Sequence, residues 1–131
     1  MPSPNGQAIT ALEYIYADQV SYFNKDLSRD QVIEREAKFL ARWPIRVYKP
    51  KNGQIFVSCD ASALICSASG VLEFDARSLA RNQRSVGEAT FRYRLQFSAQ
   101  GEYPPKVILE HGTVLNRNVQ PLSGIGEGTP Q

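Results

Sequence analysis

The stretch Ser28-Arg-Asp-Gln-Val-Ile-Glu-Arg-Glu-Ala-Lys-Phe-Leu-Ala-Arg-Trp-Pro44 is the one long helix this sequence offers. Ser28 is a good N-cap, and Gln31 three residues on can reach back to complete a capping box. Asp30 in the first turn and Arg42 in the last complement the helix dipole. Pro44 cannot continue a helix and drives Trp43 out of helical geometry, so the element ends there. At about 100° per residue, Val32, Ile33, Ala37, Phe39, Leu40 and Trp43 share an apolar face about 160° wide. A face that broad is covered by a sheet. Glu36 falls near its middle, between Leu40 and Trp43. A carboxylate in apolar surroundings is costly unless paired. The common outcome is an edge residue that turns to water or to an arginine. The sharper alternative is an acid or base of raised pKa, pointing into a cavity between helix and sheet.

Downstream of Pro44 the hydrophobic period falls to two. Strands are expected over Ile45–Lys49, Gln54–Asp60 and Leu64–Asp75, the last interrupted at Gly70 by a bulge or bend. Pro50-Lys-Asn-Gly53 is a turn, with Gly53 available for a positive φ. Ala76–Ser85 is polar and reads as irregular. Val86–Ser98 is the clearest strand: Ala89, Phe91, Tyr93, Leu95 and Phe97 face one way, and Glu88, Thr90, Arg92, Arg94 and Gln96 the other. Ala99–Pro105 is a hairpin loop, and Lys106–Asn116 is the last strand. Upstream, Leu12, Ile15 and Tyr16 predict a short helix over Ala8–Asp18. Val20–Phe23 is a brief strand and Asn24-Lys-Asp26 a turn. The domain is therefore expected over residues 8–117, between a disordered segment at 1–7 and a flexible Gly/Pro tail at 118–131. Helices first, then consecutive antiparallel strands, predict an α+β fold: a conical, curved antiparallel sheet wrapped around one long helix. Such a cone encloses a cavity, and a small apolar ligand is the natural occupant.

At 131 residues the chain is one domain with room for a sizeable core. A net charge of +2 gives no reason to expect nucleic acid. Arg77, Arg81, Arg84, Arg92 and Arg94 are read as solvated loop and outward strand positions, set against Asp75 and Glu88; a phosphate or acidic partner is the rarer alternative. No apolar run reaches the length of a membrane span. Met1-Pro-Ser-Pro lacks the charged and apolar regions of a signal peptide and reads as the start of a domain cut from a larger protein.

A hairpin centred on Ser62 and Ala63 sets Cys59 opposite Cys66. Two small buried thiols are the commoner outcome; a cross-strand disulfide is the other. Free cysteines suit a cytoplasmic protein, and a Cys59–Cys66 disulfide suits the periplasm. Two cysteines and one histidine are too few for a closed zinc site, and nothing in the sequence calls for a cofactor or metal. His111 shares parity with Val107, Leu109, Thr113 and Leu115 on the last strand, an apolar face. The usual outcome is a hydrogen-bonded core histidine; the minority outcome is a pocket base. With Glu36 and Tyr93 it forms a weak catalytic set. Trp43, Phe39, Tyr22, Phe91, Tyr93 and His111 are the expected pocket lining.

Tyr16-Ala-Asp-Gln-Val-Ser-Tyr-Phe23, the Ser28-Arg-Asp-Gln31 cap, Arg42-Trp43-Pro44 and Val107-Ile-Leu-Glu-His-Gly-Thr-Val-Leu115 resemble a nuclear transport factor 2-like domain of the SnoaL-like type, over roughly residues 8–117. The resemblance implies a conical, cystatin-like roll. Its pocket serves isomerases, cyclases and dehydratases in some members. Other members bind ligands without chemistry or pair with protein partners, often as accessory domains of larger bacterial proteins. Unlike most members, this chain has room for only a short leading helix, which leaves the cone less covered. The sequence therefore favours a non-catalytic accessory, interaction or ligand-binding domain, paired with a second copy or with another domain of its parent. A proton-transferring enzyme using His111 or Glu36 is the alternative.

Overall fold

The computed structural model describes residues 11–101 and 103–122. Residues 11–15 are helical (α1). They are followed by β1 Tyr16–Tyr22, β2 Lys25–Ser28, α2 Arg29–Arg42, β3 Ile45–Pro50, β4 Phe56–Asp60, β5 Ile65–Ser78, β6 Gln83–Gln96, β7 Lys106–His111 and β8 Val114–Pro121.

Helix α2 begins as its cap dictates. The Ser28 hydroxyl accepts from the Gln31 N–H at 3.3 Å, and the Gln31 side chain accepts from the Ser28 N–H at 2.9 Å. Two arginines satisfy its far end. Arg46 donates to the Trp43 carbonyl at 2.7 Å, and Arg81, from the β5–β6 turn, donates to the Arg42 carbonyl at 2.7 Å. Arg81 also lies over the Trp43 ring, 4.5 Å from its centroid. Cations here offset the negative end of the helix dipole and hold Trp43 by its π face. Trp43 and Val32 are buried.

The fold is α+β, and the described residues form one large curved sheet of eight strands. Its order is β2-β1-β7-β6-β5-β3, with β4 also on β5 and β8 also on β6. Strands β5 and β6 are the spine, paired without a break from Ile65–Gln96 to Ser78–Gln83. Each carries two shorter strands end to end on its other edge: β4 then β3 on β5, and β7 then β8 on β6. The expectation of a wholly antiparallel sheet fails at one place, where β1 pairs with β7 in parallel.

Several expected boundaries also move. Tyr16, Ala17 and Asp18 belong to β1 rather than to a helix. The hairpin turn is Phe23-Asn24, both at positive φ (49° and 66°), which is the type I′ geometry that suits strand twist; Lys25 and Asp26 are therefore in β2. Gly70 carries no bulge, because the register runs through it unshifted. It is small for another reason: a Cβ there would lie 2.8 Å from the Phe91 ring. The span 76–85 is not irregular. Only residues 79–82 turn, while Ala76 and Ser85 face each other as small, buried partners. Polar composition masked the alternation. The last strand divides at Gly112-Thr113, where the backbone crosses so close to Thr90 that a Cβ at Gly112 would sit 2.4 Å from its carbonyl oxygen. β8 then continues to Pro121, so residues 118–121 belong to the sheet and not to a tail. The expected disorder at 1–7, and at 123–131, lies outside the described residues.

Cys59 and Cys66 stand directly opposite and are joined in a disulfide, so the free-thiol reading does not hold. On the outward face of β5 and β6, Asp75 binds both Arg84 (2.8 Å) and Arg77 (3.2 Å). The main core cluster lies at one end, and Trp43 and Ala76 are buried near the other end of α2. Tyr16, Val20, Tyr22, Leu27, Val32 and Val107 form the cluster, from β1, β2, β7 and the first turn of α2. Between that cluster and the end of α2 held by Arg46 and Arg81, a cavity separates helix from sheet.

Candidate functional site

The space between α2 and the inner face of the sheet is a cavity of about 690 Å³ that opens to solvent. Its walls follow from the register. Leu72 pairs with Ala89, Gly70 with Phe91, Ala68 with Tyr93, and Tyr48 with Phe74. Paired residues share a face, so Leu72, Phe74, Tyr48, Ala89, Phe91 and Tyr93 are presented together. The helix adds Glu36, Phe39, Leu40 and Trp43.

The polar floor is set by an irregularity in β7. Arg94 pairs with Leu109 but Leu95 pairs with Val107, so Ile108 is an extra residue in the ladder. A bulge of this kind reverses the parity of everything after it. Val107 and Glu110, three residues apart, are consequently both buried. Glu110 pairs with Tyr93 on the cavity face, whereas His111 pairs with Arg92.

Two carboxyl groups are held by tyrosine hydroxyls at this floor. Tyr16 donates to Glu110 Oε1 at 2.5 Å, and Tyr93 is also bonded to Glu110. Tyr22 donates to Glu36 Oε2 at 2.6 Å. Burial pushes the Glu110 carboxyl up to about 7. The nearby Glu36 charge adds to the rise, and the Tyr16 and Tyr93 hydroxyls oppose it. Burial and the neighbouring carboxylates raise Tyr16, Tyr22 and Tyr93 well above the usual phenol range, so all three remain hydroxyl donors. The arrangement can hold a proton on one carboxyl while the other accepts one, with phenol hydroxyls close by.

Tyr22, Phe39, Trp43, Phe91, Tyr93 and His111 all border this cavity, as does Glu36. Glu36 is half-buried and faces the space instead of bending to an arginine. His111 reaches the cavity beside Phe23, their rings 5.9 Å apart, and its Nδ1 is buried without a hydrogen-bond partner among the described residues. Sequence reasoning missed Glu110 and Tyr16. It carried strict alternation through Ile108, which put His111 in the inward place, and it left Tyr16 on a helix. A glutamate among Val107, Ile108 and Leu109 was the available signal.

No protein-family model and no curated protein sequence matches the chain. Solved structures do. The chain resembles the Kfla4162 protein of Kribbella flavida with a TM-score of 0.66 at 8% identity, covering 86% of this chain and 80% of that one. It resembles hexachlorocyclohexane dehydrochlorinase LinA-type3 of Novosphingobium barchaimii with a TM-score of 0.64 at 9% identity, covering 88% and 79%. A SnoaL-like polyketide cyclase of Agrobacterium tumefaciens follows with 0.51 at 14% identity, covering 84% and 80%. At these identities the likeness is one of fold: the chain has the nuclear transport factor 2-like, SnoaL-like fold.

Proposed function

We propose that this chain binds a small, largely apolar carbonyl compound in a cone closed around α2 and moves a proton on it, as an isomerase, cyclase or dehydratase does. The observation that carries this reading is the pairing of Glu36 and Glu110 on one aromatic cavity, with Glu110 bonded to Tyr16 and Tyr93. Glu36 is the base: it takes a proton from the carbon next to the carbonyl. Glu110 keeps its proton because burial disfavours the charge. It donates to the carbonyl oxygen as negative charge develops there, while the Tyr16 and Tyr93 hydroxyls donate to its own carboxyl. Tyr16 and Tyr22 fix the two carboxyls and are positioning residues. The dehydrochlorinase and the cyclase that share this fold support the class of activity without identifying a substrate. His111 borders the cavity away from the floor and has no step here.

The test is exchange of the α-hydrogens of 2-tetralone into deuterium oxide, followed by proton NMR. The chain accelerates exchange over buffer, and Glu36→Gln reduces the acceleration by about 10²-fold or more. Exchange at the buffer rate by the native chain, or an undiminished rate in Glu36→Gln, ends the proposal.

One observation favours a second reading, that of an accessory or pairing domain. Ile55, Phe56 and Val57 on and beside β4 are 52%, 63% and 65% exposed, and among the described residues β4 pairs with β5 alone. An apolar edge strand invites another chain or a second copy. Light scattering that gives the mass of one chain at all concentrations removes the homodimer. The disulfide suits an oxidising compartment such as the periplasm.

A further inference from the structure

The cavity is charged unevenly along its length. Its carboxyls, Glu36 and Glu110, are at the floor near β1 and β7, with Arg35 next to Glu36 on the helix. Arg42, Arg46 and Arg117 border it at the end where α2 stops. The register fixes this end: Arg46 pairs with Ala76, Ala76 with Ser85, and Arg117 Nε donates to Ser85 Oγ at 2.9 Å. Arg46 and Arg117 therefore approach one cross-strand row from its two sides, and Arg42 comes from the helix. Asp75, the nearest carboxylate in sequence to this row, is on the opposite face and is taken by Arg77 and Arg84. Among the described residues no carboxylate pairs with Arg42 or Arg117. The carbonyls at the end of α2 are met by Arg46 and by Arg81, which is not one of the cavity arginines. Positive charge from Arg42 and Arg117 at this end therefore has no carboxyl beside it, whereas at the other end Arg35 borders the cavity next to Glu36 and Glu110. Six residues of helix separate Glu36 from Arg42, at least about 9 Å along the axis. Phe39 and Phe91 wall the space between.

We infer that the ligand is an elongated, flat organic acid, its carboxylate held at Arg42 and Arg117 and its apolar body lying along Phe39 and Phe91 towards the glutamates. A guanidinium already oriented by Ser85 loses little freedom on gripping a carboxylate. The Arg117 side chain is partly in water, so the gain is modest and salt-sensitive. The inference rests on the small-molecule reading of this cavity, and it names the ligand class.

Its test is binding of 4-(1-pyrenyl)butanoate against 4-(1-pyrenyl)butan-1-ol, two ligands alike in shape and different in charge, read from pyrene anisotropy. The acid is expected to bind about three- to tenfold more tightly at low salt, with the preference fading as salt rises. Arg117→Gln removes the preference and Arg117→Lys retains part of it, each variant checked for an unchanged melting temperature. Equal affinities, an undiminished preference in Arg117→Gln, or binding of neither compound overturns the inference. The exchange test on 2-tetralone uses a neutral ketone. Failure of exchange therefore leaves the acid preference to be measured, and failure of the preference leaves exchange to be measured.

Discussion

Asp75 and Glu110 belong to the same sheet and have opposite fates. Asp75 is on the outward face, where two arginines hold its carboxyl down at about 2. Glu110 is on the inward face, where burial lifts its carboxyl to about 7. Both accept two sets of hydrogen bonds, so the number of partners does not separate them. Their charge does: a guanidinium stabilises an ionised carboxylate strongly, while a phenol hydroxyl offsets only part of its desolvation. One face of the sheet is built to keep a carboxylate ionised and the other to keep a carboxylic acid neutral. Only the second supplies a proton donor at neutral pH.

The larger test of this contrast is on the inward side. Glu110 retains its proton in the folded chain between about 4.5 and about 7, while in the unfolded chain it has already released it. The unfolded state binds fewer protons in that window, so stability falls as pH rises through it, by up to about 3 kcal/mol, and levels off above it. Chemical denaturation from pH 4 to pH 8 should show this decline, and Glu110→Gln should flatten it. A native profile that rises over the same range would remove the neutral-acid assignment. The smaller effect is on the outward side, with the sign reversed. Asp75 stabilises the fold above about 3.8, and that contribution disappears as pH falls towards about 2. Asp75→Asn should cost about 1 kcal/mol at pH 7, because the arginines remain partly solvated, and the cost should shrink in high salt. An Asp75→Asn chain as stable as the native one would show the outward pairs to be idle.

Much of the frame was legible because its signals are local. Ser28, Gln31 and Pro44 fix both ends of α2 through bonds within a few residues. The alternation from Ala89 to Leu95 writes a half-buried strand directly. The Cys59–Cys66 register follows from a hairpin centred on Ser62 and Ala63, although the turn spans four residues, 61–64, and not two; Asp60 accepts from the N–H groups of Ser62 and Ala63. The site was less legible because it depends on distant contacts. Tyr16 continues a helical pattern with Leu12, and only its pairing with Val107 in β7 draws it into a strand. Ala76 and Ser85 look like loop residues until the arginines beside them are seen to face out. Nothing within β7 itself announces that Ile108 is extra. Its register against β6 is set by Leu95 and Arg94 on another strand.

That extra residue makes the pairing of β7 a chemical variable. In a strand with strict alternation, exchanging the inward group requires a new codon at the inward position. Here a slip that closed the bulge at Ile108 would hand the inward place from the Glu110 carboxyl to the adjacent His111 imidazole without altering either, whereas loss of Ile108 would leave Glu110 opposite Tyr93. One composition therefore carries two chemistries, a single step of pairing apart.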